Sequence, residues 1–274
     1  MGAAGRPAPA RADGHTCPPR GDGPRVNGVR IDAVSHREFI SAVEGFLACG
    51  KSHVVHFCAA HPTTEARRDP AYRDLLNGGD LNLPDGMPVA WAARLFGYPT
   101  ARLAGTEGLD MTAAWGLPLG LRHYLYGGAP ATVERMAAAM RQGYPGIVVA
   151  GAESPPFRPL SDEEVRAGAD RIRGVGTQAL WVGLGAPKQD VVAARFRELG
   201  AAPVIFCVGA AFDFVAGDKK RAPAWMRRSG LEWLHRLASE PMRLWRRYLV
   251  GNPRFVAGVV ADRMRGGRAR GKAR

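Results

Sequence analysis

The chain has 274 residues, of which 46% are hydrophobic, with four cysteines and a formal net charge of +13. This suits one large α/β domain, or a domain with an appendage, and excludes a disordered chain. No stretch reaches the roughly 18–20 uncharged apolar residues of a membrane span, the start lacks a secretory signal's apolar core, and Arg6 occupies the Ser/Thr position of a myristoylation site. Cys17, Cys49, Cys58 and Cys207 form no C-x-x-C pair, which points to a reducing compartment, the cytosol.

The charge is unevenly placed. Residues 217–274 carry 16 Lys/Arg against 4 Asp/Glu, while the rest carries 22 against 21. A nearly neutral body with a strongly basic end points to an anionic partner: a membrane surface, a phosphorylated substrate or nucleic acid.

Residues 1–25 are rich in Gly, Pro, Ala and Arg with no apolar period, which predicts a disordered leader. Residues 26–31 (VNGVRI) read as a short hairpin or strand around Gly28. Ser35 then caps a helix that places Phe39, Val43, Phe46 and Leu47 on one face. Residues 53–60 (HVVHFCAA) read as a strand. His53 and His56 point to opposite faces of it, while His56 and Cys58 share one, so no closed metal site is expected. Residues 63–77 read as helical, broken before Pro70, with Tyr72, Leu75 and Leu76 as anchors.

Residues 81–88 (LNLPDGMP) are the stretch around which the chain is organised. A short apolar run ends in a Pro-Asp-Gly turn, and Pro88 suits the first turn of the helix that buries Val89, Ala92, Ala93 and Phe96 before Gly97. Asp85 therefore sits at the carboxyl end of a strand, either as a ligand-facing carboxylate or as a plain helix cap. Residues 101–108 follow as a polar loop holding Arg102, with a helix from about Leu109.

The strand at 122–126 runs through Gly127 and Gly128 into a helix ending near Met140. This is a phosphate or nucleotide site if the free N–H groups face a ligand, and otherwise a plain βα turn. Further strands are expected at 147–150, 179–184 and 204–208, and helices at 161–173 and, after the turn at 185–190 that holds Lys188 and Gln189, to Leu199. Repeated strand–turn–helix units predict a Rossmann-like, mainly parallel α/β sheet with helices on both faces, over residues 26–216.

Beyond it, residues 217–255 read as a basic helical appendage and 256–274 as a basic disordered tail. A helix from Pro241 is expected to carry Leu244, Trp245, Tyr248 and Leu249 on one side, with Arg243, Arg246 and Arg247 as a cationic stripe. Aromatic residues beside arginine suit a helix lying at a lipid headgroup layer. RNA is the competing partner, but no RNA-binding signature is present, and nucleic acid is not expected.

Two strings need care. Residues 45–52 (GFLACGKS) match the P-loop pattern, but they end a helix and enter a strand, the reverse of a working P-loop. Residues 183–188 (GLGAPK) lack the third glycine of a dinucleotide fingerprint. No D-x-D pair offers carboxylates to a nucleotide-bound metal, so neither a metal nor a cofactor is expected.

Taken in order, residues 82–86 (NLPDG), Arg102-x-x-Gly105-Thr106, Tyr126-Gly127-Gly128-x-Pro130, 183–189 (GLGAPKQ), 209–217 (GAAFDFVAG) and 221–248 resemble the WecG/TagA/CpsF glycosyltransferases. The resemblance covers about residues 27–255. It implies a metal-independent inverting enzyme, N-acetylmannosaminyltransferase-like, in cell-envelope or exopolysaccharide synthesis. Such an enzyme moves a sugar from a UDP-sugar to a polyprenyl-pyrophosphate-linked sugar at the cytoplasmic membrane face.

By the same resemblance Asp85 is the catalytic base. Arg102, Gly105, Thr106, Gly127, Gly128, Lys188, Gln189, Asp213 and Arg221 belong to substrate binding, and Arg236, Arg243, Arg246 and Arg247 to the lipid pyrophosphate and an anionic membrane surface. A homo-oligomer is left open. One departure stands out: the family commonly shows Thr-x-Asn-Ala where this chain has Phe57-Cys58-Ala59-Ala60, with His56 and His61 as candidate replacements. A non-catalytic relative that binds nucleotide sugar or anionic lipid is the alternative.

Overall fold

A computed structural model describes residues 17–18 and 21–271. Its centre is a sheet of six strands: β3 (His53–Cys58), β4 (Leu81–Pro84), β5 (Arg122–Gly127), β6 (Val148–Glu153), β7 (Ala179–Gly183) and β8 (Val204–Cys207). They lie in the order β4-β3-β8-β7-β5-β6. Every neighbouring pair is parallel. A short antiparallel hairpin, β1 (Arg25–Val26) with β2 (Val29–Arg30), turns at Asn27-Gly28 as expected.

The Rossmann-like α/β expectation holds, and alternation along the strands explains the layering. Val55, Leu125, Trp181 and Phe206 face one side of the sheet, where α1 (His36–Ala48), α5 (Gly105–Gly116) and α6 (Pro130–Gly143) cover them. Val54, Tyr126, Leu180 and Ile205 face the other, under α7 (Asp162–Gly174) and α8 (Lys188–Glu198). Trp181 stacks on Phe206 with ring centroids 4.2 Å apart and donates from Nε1 to His123 Nδ1 at 3.0 Å. Burial lowers the His123 pKa to about 4, so the ring is neutral and free to accept.

Local chemistry sets the helix ends. Ser35 and Glu38 form a reciprocal capping box on α1. The helix then stops at Cys49, so the P-loop-like string does close a helix before β3. The predicted break before Pro70 separates α2 (Ala60–Arg68) from α3 (Pro70–Asn77), because Asp69 caps the Tyr72 amide at 3.1 Å. The helix expected near Leu109 starts earlier, at Gly105, where the Glu107 carboxylate reaches back to the Ala104 amide at 3.2 Å.

Two expectations at the chain ends are corrected. Of the leader, residues 1–16 and 19–20 lie outside the described residues, but 21–24 are ordered: Ile31 N–H donates to Pro24 O at 2.9 Å and Ala33 N–H to Asp22 O at 3.0 Å. At the other end, α10 (Ala224–Arg228), α11 (Glu232–Ser239), α12 (Pro241–Trp245) and a π-helical turn (Arg246–Val250) lead into α13 (Gly251–Gly271), a helix where a disordered tail was expected.

The physical reason is packing. Phe255 and Val259, four residues apart, enter the cluster of Val26, Val29, Ile31, Tyr72 and Leu76. Arg67 adds an ion pair to Asp262 at 2.7 Å. Residues 272–274 lie outside the described residues.

Trp181→Ala removes the stacked ring and leaves His123 without its donor. A loss of about 3–5 kcal/mol in urea unfolding is expected; a loss below ~1 kcal/mol would contradict this packing.

Candidate active site

The short strand β4 ends at Pro84, and the Asp85 amide continues the ladder by donating to Cys58 O at 3.0 Å. Gly86 follows at φ +96°, in the left-handed region that glycine tolerates and other residues do not. The chain thereby turns at once into α4 (Met87–Leu95), whose first turn carries Pro88. The cap position falls to Gly86, and no side chain caps the helix. Asp85 is therefore not the cap, and its carboxylate lines a cavity of about 890 Å³.

The carboxyl ends of the sheet build that cavity, as parallel sheets do. Phe57 comes from β3 and Ala59 follows it, Gly128 follows β5, Ser154 follows β6, Gly183 ends β7 with Leu184 and Gly185 after it, and Val208–Asp213 follow β8. The roof is the basic end of the chain, which contributes Arg221, Arg227, Glu232, Trp233, Arg236, Arg243, Arg247 and Tyr248.

The electrostatics are crowded. Burial, reinforced by the Glu232 carboxylate, pushes the Asp85 pKa up to about 7, against the opposing pull of Arg102 and Arg236. Glu107 is shared among arginines: it pairs with Arg102 and lies 3.7 Å from Arg221 and 4.0 Å from Arg227. Burial and the neighbouring Arg227 lower the Arg221 pKa, and burial lowers that of Arg247.

Among the described residues, the buried Nε atoms of Arg227, Arg236 and Arg247 have no hydrogen-bond partner. Buried cations with donors to spare make an anion site, and planar guanidinium groups suit a diphosphate.

Of the residues singled out in the sequence, Asp85, Gly105, Thr106, Gly128, Lys188, Gln189, Asp213, Arg221, Arg236, Arg243 and Arg247 line the cavity. Arg102, Gly127 and Arg246 do not. Arg102 is held by Glu107 beneath the site. Gly127 serves close strand packing, since a Cβ there would come within 2.5 Å of Gly183 O.

Arg246 lies outside, over the Trp245 ring at 5.2 Å. The single stripe of Arg243, Arg246 and Arg247 is thus corrected. Arg243 and Arg247, four residues apart and so on one helix face, line the cavity, whereas Arg246 does not. The same i, i+4 spacing splits the expected apolar side: Leu244 and Tyr248 are buried, whereas Trp245 and Leu249 are exposed.

Several lining residues are already engaged. Asp213 is ion-paired with Lys219 at 2.6 Å, and Lys219 also reaches Glu240 at 3.3 Å, so Asp213 ties the appendage down. Lys188 Nζ donates to Pro156 O at 3.0 Å and Arg158 O at 2.7 Å, holding the loop after β6. Gln189 Oε1 accepts from Gly209 N–H at 2.9 Å and shapes the turn after β8. Thr106 Oγ1 is buried at the cavity with no partner among the described residues.

His61 lines the cavity, but His56 does not: its Nδ1 lies 2.8 Å from Asp190, which also accepts from Tyr72 OH at 2.7 Å. Arg227 and Glu232 were not singled out in the sequence. They sit in the basic stretch, where nothing local separates inward from outward arginines.

A family model described as "Glycosyl transferase WecG/TagA/CpsF family" matches residues 24–269. The chain is 32% identical over 200 residues to an N-acetylglucosaminyldiphosphoundecaprenol N-acetyl-beta-D-mannosaminyltransferase of Bacillus spizizenii, covering 72% of this chain and 74% of that protein.

A carboxyl group with a raised pKa destabilises the folded state once pH exceeds its unfolded value. Asp85→Asn is therefore expected to be more stable than the wild type. The gain should grow from about pH 4, level off near pH 7, and reach on the order of 2–4 kcal/mol. Equal melting of both proteins at pH 8 would show that Asp85 is not desolvated.

Proposed function

This chain belongs to the WecG/TagA/CpsF glycosyltransferase family, and we propose that it moves a sugar, with inversion, from a UDP-sugar to a sugar carried on a polyprenyl pyrophosphate. One observation carries this reading: Asp85, with a pKa near 7, shares a cavity with Arg221, Arg227, Arg236, Arg243 and Arg247. A base poised near operating pH and an excess of guanidinium groups are what such a transfer needs.

In the proposed reaction Asp85 takes the proton from the acceptor hydroxyl as that oxygen attacks the anomeric carbon. The bond from that carbon to the UDP β-phosphate breaks on the opposite face. The guanidinium groups stabilise the charge gathering on the departing diphosphate, and Arg102, although outside the cavity wall and paired with Glu107, adds positive potential that favours the ionised form of Asp85. The backbone around Gly105, Thr106, Gly128 and Gln189 forms the floor on which the donor lies. Lys188 and Asp213 act one step removed, by holding the loop at Pro156 and the appendage in place.

The relative's name supports an N-acetylmannosamine donor and a diphosphoundecaprenol-linked N-acetylglucosamine acceptor for this chain too. Phe57 and Ala59 give the cavity an apolar wall in the region of the family's Thr and Asn, and this bears on which sugar fits. The division into a leader (1–25), a body (26–216), an appendage (217–255) and a basic tail (256–274) is proposed in the same way. The body supplies the base, and the appendage supplies the anion clamp.

No helix among the described residues is long and apolar enough to cross a membrane. The acceptor's lipid must nevertheless be met. Met242 is 88% exposed, Leu249 57% and Trp245 42%, with Arg246 beside them. We assign this apolar and cationic surface to docking on the inner face of an anionic membrane.

Asp85→Asn is expected to lower UDP release with a lipid-pyrophosphate-sugar acceptor at least ~1000-fold while leaving UDP affinity within about twofold. In the wild type, kcat/KM should rise about tenfold per pH unit below pH 7 and level off above it, because the deprotonated carboxylate is the active form. Unchanged turnover in Asp85→Asn removes the residue from the chemistry. UDP binding without transfer from any UDP-sugar would instead identify a binding-only relative.

Replacing Met242, Trp245 and Leu249 together by serine should cut co-sedimentation with anionic vesicles by about tenfold or more. Retained sedimentation would put the docking surface elsewhere.

A further inference from the structure

At the amino end of the sheet, opposite the cavity, three side chains with soft or borderline ligand atoms meet. Cys49 ends α1 as its C-cap residue, His53 opens β3, and Cys17 arrives from the segment before the hairpin. The Cys17 Sγ, Cys49 Sγ and a His53 ring nitrogen all lie within 4.8 Å of one another. Cys49 Sγ is 2.8 Å from His53 Nε2.

Tetrahedral zinc bound to thiolate and imidazole holds its ligand atoms roughly 3.5–3.8 Å apart, so side-chain rotations alone bring these three into range.

The surroundings of His53 point the same way. Its other nitrogen, Nδ1, lies 3.2 Å from Asp80 Oδ1, within ion-pair distance though outside hydrogen-bond geometry, and Nε2 faces the Cys49 thiol. This carboxylate–histidine arrangement recurs behind metal-bound imidazoles, where it fixes the tautomer and raises ligand basicity. Phe46 stacks on the ring with centroids 4.3 Å apart and holds its plane. Asp80 is itself fixed by the Val54 amide at 2.9 Å.

The second cluster of this kind, His56, Asp190 and Cys207, lacks these features. All three residues are buried, and both Asp190 oxygens are taken, by His56 and Tyr72.

We propose that Cys17, Cys49 and His53 bind one zinc-class divalent cation, with water completing the tetrahedron. Two thiolates and an imidazole select zinc over hard cations such as magnesium or calcium. The site is structural. It lies at the far end of β3 from Asp85 and fastens the segment at Cys17–Pro18 to α1, where Pro18 already lies against Gly45. Zinc binding is read without any transfer assay, so its failure leaves the proposed function standing.

The test uses the full chain purified under reductant without chelators. Metal content is measured by mass spectrometry, affinity by competition with a chromophoric chelator, and the ligand set by cobalt substitution. The expected result is about one equivalent of zinc and a thiolate-to-cobalt charge-transfer band. Cys17→Ser should lose the band and bind zinc at least ~100-fold more weakly, with transferase activity unchanged. Asp80→Asn should weaken binding about 10–100-fold. Zinc should raise the melting temperature of the wild type but not of Cys17→Ser.

The proposal falls if the reduced wild type binds no zinc, or if Cys17→Ser binds it equally well. It falls equally if Cys17 and Cys49 are recovered only as a disulfide that no metal prevents.

Discussion

The burial of Phe255 and Val259 against the β1–β2 hairpin and α3 is the contact on which the molecule's working geometry depends. Those side chains seat α13 beside α2, with the Arg67–Asp262 pair locking the register. Upstream, Lys219 bridges Asp213 and Glu240, and Asp218 accepts from Thr132 Oγ1 at 2.6 Å. Fastened at both ends, the segment between can only run across the carboxyl end of the sheet. Its arginines therefore meet a carboxylate some 150 residues earlier in the chain, although no local preference brings them together.

The cavity so formed is held against its own electrostatics. Several guanidinium groups share one acid, Glu107, and three buried Nε atoms lack partners among the described residues. Burial and Glu232 also hold Asp85 in a state where its charge is costly. Left empty, this arrangement destabilises the fold, because desolvated charges are repaid only by well-placed partners. A bound diphosphate relieves the cationic crowding and strengthens the negative field at Asp85, which favours proton uptake there. Affinity for an anion and basicity at Asp85 thus come from a single distribution of charge.

One strand, β3, links three environments along its length. Its carboxyl end places Phe57 and Ala59 on the cavity wall. Its middle buries His56 on Asp190 and Tyr72, joining the sheet to α8 and α3. Its amino end presents His53 to two thiols and Asp80. Alternation sends His53 and His56 to opposite faces of the strand. The thiols that meet His53 come from α1 and from the segment before the hairpin.

The sequence by itself determined the local chemistry. The runs buried on both faces marked the parallel strands, Ser35 and Ser161 marked helix starts, Pro70 marked a helix break, and Pro84-Asp85-Gly86 marked the strand end where a carboxylate meets the cavity. These are short-range effects of periodicity, capping and turn geometry, readable within a few residues.

Tertiary structure decided which of those groups face one another. It set Arg243 and Arg247 at the cavity and Arg246 outside it, gave Asp213 to Lys219 and Arg102 to Glu107, ordered α13 where composition suggested disorder, and brought Cys17 to His53. Each outcome depends on packing between segments far apart in the chain, and the spacing of residues along one segment does not record what another will bury against it.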